Sequence, residues 1–244
     1  MRHGIVAQLL SHRAADRTFK VSPAEPEAER PRNGWSLAGA RRQAVLELAA
    51  AIDPDPAHGR QVARLALELF DKTRGVHDLG GVDRELLEYA ALLHDVGASV
   101  NRSKHHRHSR YLILHSTLPG FEREEVRIVA AIARFHRGSP PKPNQGSLEA
   151  FDADVRRRVL ASIAILRIAD ALDRSHRSVV RGIRVIRDER RVEIQFDAGG
   201  RNAMLELWAA QRRTDLWKSC FDVDLECRAR RLRRRTRAVE SSLL

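Results

Sequence analysis

The sequence predicts a mainly α protein, a helical bundle over residues 36–180 followed by a small α+β appendage over 181–227. Three observations carry this. Apolar residues recur at helical spacing through successive segments between Ala40 and Leu172. After Arg181 the period switches to two, the signature of strands. Apolar residues make up 43% of the chain, which suffices for a buried core, yet no stretch approaches the roughly 18 apolar residues of a membrane span.

Residues 1–35 read as a poorly ordered arm, punctuated by Pro23, Pro26 and Pro31 and poor in apolar periodicity. The first helix carries Ala44, Val45, Leu48 and Ala49 and is broken at Asp53-Pro54-Asp55-Pro56. The second starts near Ala57, with Val62, Leu65, Ala66 and Leu69 on one face. Gly75 to Gly81 is a loop. A third helix is expected from Asp83, as N-cap, through Leu93 to His94-Asp95, with Gly97 as its terminator. A polar loop leads to a helix through Tyr111, Leu112 and Leu114, and Pro119-Gly120 turns the chain. Glu122 to Arg134 is helical, and a Pro/Gly-rich loop precedes a long helix predicted over 152–178. Ile183, Val185, Val192, Ile194 and Phe196 then alternate as strands; Ala203 to Arg213 is a short helix, and Phe221 to Leu225 alternates again. Residues 228–244 read as a basic C-terminal helix or tail.

Lys and Arg outnumber Asp and Glu by 44 to 32, a net charge of +12 that favours anionic partners. Part of the excess is local: Arg228, Arg230, Arg231, Arg233, Arg234, Arg235 and Arg237 crowd one stretch, whose default reading is a solvated face and whose sharper reading is nucleic-acid or polyphosphate binding. Two cysteines, Cys220 and Cys227, are spaced too widely for a CxxC zinc pair and fit a reducing compartment. With no secretory signal legible at Met1–Leu10, the expected location is the cytoplasm, away from membranes.

Six residues draw the chemistry together: His58, His94, Asp95, His108, His136 and Asp170. Each lies at a predicted helix end or on a polar side beside an apolar face, and bundle interiors are regular places for metal sites. Imidazole with carboxylate suits divalent ions such as Mn, Fe, Co, Ni, Zn or Mg and excludes a thiolate-type structural zinc site. For phosphoryl chemistry, a metal pair offsets the charge on the phosphate oxygens and lowers the pKa of a water.

The ordered set His58-x-x-x-Val62-x-x-Leu65-Ala66, His94-Asp95, His108, His136-Arg137-Gly138 and Ile168-Ala169-Asp170 resembles the signature of the HD phosphohydrolase superfamily. More closely, His106-Arg107-His108-Ser109, Leu118-Pro119-Gly120-Phe121, Arg134-Phe135-His136-Arg137 and Leu166 to His176 resemble the C-terminal region of the exopolyphosphatase/guanosine-pentaphosphate phosphohydrolase (Ppx/GppA) family, over about residues 40 to 225. The resemblance implies an HD-domain bundle with one or two divalent metal ions and a metal-dependent phosphohydrolase activity on a phosphate ester, nucleotide or phosphoanhydride. By the same resemblance His58, His94, Asp95 and Asp170 hold a first metal, and His108 and His136 complete a second. Asp95, with His94, is then the catalytic pair, acting as general base or orienting the attacking water. Arg174, taken to lie one turn after Asp170, and Arg177, Arg137 and Lys104 are the candidate phosphate grips. Members of that family place polyphosphate hydrolysis in an actin-like ATPase-fold domain, and no glycine-rich phosphate loop of that kind is found in these residues.

His105 and His106 stay open: either can replace His108 as a ligand or face a substrate. His77-Asp78, in a Gly-flanked loop, is assigned to solvent; His115 and His176 are read as polar-face residues, His176 close enough to reach a substrate. The partners implied are a phosphorylated small molecule, a nucleotide or polyphosphate, and, through the arginine run, nucleic acid. A homodimer packed through Ala40–Ile52, or a separate catalytic subunit, is the protein partner considered. The rival to the enzyme is a non-catalytic module that binds polyphosphate or a nucleotide.

Overall fold

The structure is a computed structural model that describes residues 37–142, 144–188 and 190–230; the N-terminal arm, and the basic run beyond Arg230, lie outside the described residues. Eight α-helices and a three-stranded sheet are found among them: α1 (Leu37–Ile52), α2 (Pro56–Lys72), α3 (Gly81–Leu93), α4 (His105–His115), α5 (Arg123–Arg134), α6 (Ala153–Ala171), β1 (Gly182–Arg187), β2 (Arg191–Asp197), α7 (Met204–Gln211), α8 (Thr214–Phe221) and β3 (Asp224–Arg230). The mainly helical class with a small C-terminal sheet is therefore as the sequence predicts. No helix among the described residues is long and apolar enough to cross a membrane.

Local chemistry fixes the helix starts. Pro56 opens α2, where its missing N–H costs nothing, and the Asp55 carboxylate accepts the His58 N–H at 3.3 Å. Asp152 accepts the Val155 N–H to start α6. At α5 Glu125 reaches back to the Glu122 N–H. Asp83, expected as the N-cap of α3, sits instead at its third position and accepts the Gly80 N–H at 2.8 Å, because Gly80 already supplies the extended backbone before the helix.

The α2 face of Val62, Leu65, Ala66 and Leu69 packs on α3 and α6, and α3 also packs on α5, which packs on α4. One buried apolar cluster runs without a break from Val45 to Cys227. The appendage is tied to α2 by its polar face: Gln61 and Arg64 donate to the Val180 carbonyl at 2.7 and 2.8 Å, and Glu68 accepts the Ile183 N–H at 2.9 Å. β1 and β2 pair antiparallel, Ile183 opposite Phe196, and β3 adds parallel to β2, Val192 opposite Leu225.

Four expectations are corrected. The last bundle helix ends at Ala171, not near 178, since the chain turns through Asp173 and reaches left-handed backbone at His176 (φ 55°) and Ser178 (φ 47°). Gly97 terminates nothing: α3 has already ended at Leu93, and Gly97 lies in a 3-10 turn pressed onto the backbone of α4. Thr214–Phe221 is a helix, α8, where no helix was read, and the strand begins at Asp224. That strand reaches Arg230, so 228–230 belong to the sheet and not to a tail.

Candidate metal centre and its cavity

The bundle brings the ends of α3 and α5, the start of α2, the start of α4 and the end of α6 to one place. His58 lies in the first turn of α2; His94 and Asp95 follow α3; His105 opens α4; His136 follows α5; Asp170 ends α6. His58, His94 and His136 are at most 2% exposed.

Each histidine is oriented by its Nδ1. His94 Nδ1 lies 2.7 Å from the Ala91 carbonyl, His136 Nδ1 2.8 Å from the Ala133 carbonyl, and His105 Nδ1 2.9 Å from the Arg102 carbonyl. His58 Nδ1 lies 2.9 Å from Asp173 Oδ2. A carbonyl or carboxylate at that distance requires Nδ1–H, so in each neutral ring Nε2 carries the free lone pair. Those Nε2 atoms face one another: His58 and His94 at 3.3 Å, His105 and His136 at 3.2 Å. Asp95 Oδ1 stands among them, 2.9 Å from His105 Nε2, 3.4 Å from His136 Nε2 and 3.6 Å from His94 Nε2. Asp170 Oδ1 lies 3.5 Å from His58 Nε2 and 3.6 Å from His94 Nε2.

Two bare lone pairs at such distances would repel, so each facing pair calls for a proton or a metal ion between its nitrogens, and Asp95 Oδ1 is a buried atom that accepts no well-aligned hydrogen bond. A cation between them removes both costs. Two nitrogens bound at about 2.1 Å to one ion stand about 3.0–3.4 Å apart for right-angle to tetrahedral geometry, which the observed 3.2 and 3.3 Å match. His58, His94 and Asp95 form one group able to hold an ion, and Asp95, His105 and His136 a second, with Asp95 shared. The donor set therefore fits divalent ions.

The electrostatics agree. Burial opposes ionised carboxylates, yet at Asp95 the imidazoles of His94, His105 and His136 outweigh it and hold the group well below the usual carboxylate range. Asp170 is lowered likewise, by His58 and His94 against burial. Burial pulls His58 down, but Asp170 and Asp173 override it and lift the ring to about 10. Burial and the neighbouring His94 push His136 down to about 3. The centre thus holds two permanent anions that attract a cation, whether proton or metal.

Of the predicted ligands, His58, His94, Asp95, His136 and Asp170 come together, and His108 does not. His108, half-buried on α4, is in neither group able to hold an ion, whereas His105, the first residue of α4 after the turn Arg102–Lys104, is in the second. His106 is not in either group. Asp173 went unread: fully buried, it positions His58 while its Oδ1 accepts the Ser178 N–H at 2.7 Å. Its signal was present as a carboxylate three residues after Asp170. His77, assigned to solvent, is 5% exposed, with Nε2 on the Phe70 carbonyl and Nδ1 accepting the Leu79 N–H. His176 stacks on the His58 ring, centroids 3.7 Å apart, and bonds Asp55 Oδ2 at 2.9 Å. Burial pushes the Cys220 thiol to about 11 and the Cys227 thiol to about 12, so neither serves as a nucleophile.

A cavity of about 530 Å³ opens beside the centre and reaches Asp95, His105, His136 and Asp170. One part of its lining is acidic, with Asp53 and Asp55; Arg102, Arg137, Arg174, Arg212 and Arg213 line the rest, with Trp208. Arg137 and Arg174 are among the predicted phosphate grips, although Arg174 stands in the turn after α6 and not on the helix. Lys104 and Arg177 are not in this lining; Lys104 is exposed, and the Arg177 carbonyl accepts from Arg201. Arg167, 1% exposed, holds the turn behind His136 and Arg137 by donating to the Phe135 and Gly138 carbonyls at 3.1 and 3.0 Å. Burial first, and Arg213 second, lower its pKa to about 10.

Comparison with known sequences converges on one family. The profile described as Ppx/GppA phosphatase, domain III, matches residues 40–211. A guanosine-5'-triphosphate,3'-diphosphate pyrophosphatase of Vibrio vulnificus is 35% identical over 117 residues, which are 46% of this chain and 23% of that relative. Proteins of the same name from Photobacterium profundum and Pseudoalteromonas translucida are 31% identical over 113 residues and 30% over 99, covering 46% and 39% of this chain. These alignments cover only 23% and 20% of those two relatives, so the chain matches less than a quarter of their length.

Proposed function

The chain belongs to the Ppx/GppA phosphatase family through its domain III, and from this and the site we propose a metal-dependent phosphohydrolase of the HD type. Its substrate is a phosphate ester, nucleotide or phosphoanhydride, with polyphosphate or a guanosine polyphosphate the compounds that the relatives' family and names suggest. The observation that carries the proposal is the convergence of four Nε2 atoms with Asp95 Oδ1 and Asp170 Oδ1 at the end of an arginine-lined cavity.

His58, His94, Asp95 and Asp170 would hold one divalent ion, and Asp95, His105 and His136 a second. Such ions, when bound, supply Lewis acidity toward the phosphate oxygens. The chain's own residues do the rest. Asp95, held far below the usual carboxylate range by its imidazole neighbours, stays ionised and suits a shared ligand better than a general base. Asp173 fixes the His58 ring and Arg167 fixes the turn that presents His136 and Arg137. Arg137 and Arg174 bind and orient the phosphate, and Arg102 adds charge at the same wall.

The test is release of phosphate from inorganic tripolyphosphate and from nucleoside triphosphates with added Mn. Wild type is expected to turn over at least one of them, and His94→Ala and Asp95→Ala to lose both metal and turnover. Unchanged metal and turnover in both variants would sink the proposal. A second reading, a polyphosphate- or nucleotide-binding module without turnover, is favoured by the arginine wall alone. Tight, salt-dependent binding with no phosphate release would select it.

A further inference from the structure

Arginine in the cavity exceeds what a single phosphomonoester needs. Arg102, Arg174 and Arg212 make no side-chain hydrogen bond or ion pair among the described residues, the only acceptor Arg137 reaches is His105 Nε2, and Arg213 donates only to the Gly138 carbonyl. Guanidiniums left without a carboxylate partner are available to bind the oxygens of a polyanion. In the same lining stands an aromatic ring. Trp208 on α7 is 55% exposed, whereas Trp217 on α8 is fully buried in the core. The Arg212 guanidinium lies 5.0 Å from the Trp208 ring centroid, so charge and aromatic surface are offered together. Met204 and Leu205 are exposed on the same helix, but neither lines the cavity, as Trp208 does.

An exposed indole beside unpaired guanidiniums suits a ligand that has both a π-face and several phosphates. We propose that Trp208 is a stacking platform for a nucleobase, and that the site takes a nucleoside oligophosphate in preference to a base-free polyphosphate chain. The base stacks on Trp208, the phosphates run along Arg212, Arg213 and Arg174, and the scissile anhydride lies at Asp95 and Asp170. This rests on the hydrolase reading above for the chemical step. There, the oxygen of water bonds to phosphorus, the anhydride P–O bond breaks with its electron pair leaving on the departing phosphate, and one proton passes to solvent.

Binding is read by isothermal titration of the full chain with Mn present, using two probes that resist hydrolysis: β,γ-imido-GTP and the base-free diimidotriphosphate. Trp208→Ala is expected to weaken β,γ-imido-GTP on the order of 5- to 100-fold, the range of one base stacked on an aromatic ring. The same variant leaves diimidotriphosphate within about twofold, and Trp208→Phe retains most of the nucleotide affinity. Equal affinity of wild type for the two probes overturns the proposal. So does equal loss of both in Trp208→Ala, or no loss of either. Absence of phosphate release from every nucleoside triphosphate and from tripolyphosphate, alongside Trp208-dependent binding, would sink the hydrolase reading and leave the platform standing, so the two failures are distinguishable.

Discussion

His105 and His108 both lie on α4, and only the structure chooses between them. A helix of 3.6 residues per turn puts two residues spaced by three on neighbouring faces, so the ligand face depends on where the helix begins. That start is set by the short turn Arg102–Lys104, which carries no apolar periodicity to read. His105→Ala is expected to lower bound metal and His108→Ala to leave it unchanged, as measured by metal content after gel filtration. His58, His94, Asp95, His136 and Asp170 were legible because each ends or begins a strongly apolar helix. Asp173 was not, since it stands beyond the end of α6 in a turn that looked helical. Its carboxylate fixes the His58 ring, and loss of such an outer partner lowers metal affinity by about 10- to 100-fold. Asp173→Asn should show that loss in a competition titration against a fluorescent chelator, with circular dichroism unchanged.

At the scale of elements, the apolar periodicity of α2, α3, α5 and α6 was enough to find them, because their buried faces repeat over three or more turns. α8 was missed for the opposite reason: eight residues, Thr214–Phe221, with only Leu216 and Trp217 buried, leave too short a pattern. Gly97 shows what spacing cannot reveal. A methyl group there would collide with the backbone of His105 and Ser109, so the residue is needed for the approach of α4 to the turn after α3. The Gly97 N–H also donates to Ser109 Oγ at 3.0 Å. Gly97→Ala is expected to destabilise by about 1–3 kcal/mol, the cost of overpacking a filled contact. It should also lower metal affinity, because the displaced strand of backbone carries His105. A melting temperature equal to wild type would refute the close approach.

For the whole molecule, the buried centre couples protons, metal and stability. His58 is lifted from an ordinary 6.5 to about 10 by Asp170 and Asp173, against burial. In chelator-treated protein that proton contributes stability fully present below about 6.5 and lost as pH rises toward about 10. Metal must displace the same proton, so affinity for Mn is expected to rise with pH across that window. Metal-free melting temperatures that do not fall over this range would count against the assignment. The net charge of +12 is spread along the chain; the arginines of the cavity wall and those beyond Arg230, outside the described residues, are two of its contributors. The most direct test is elemental analysis of the purified full chain beside Asp95→Ala, the variant that removes the ligand shared by both candidate groups. Near-stoichiometric Mn, Fe, Ni or Zn in wild type, lost in Asp95→Ala, is the expected result. No retained metal in wild type, even after incubation with Mn, would contradict a metal centre at these residues.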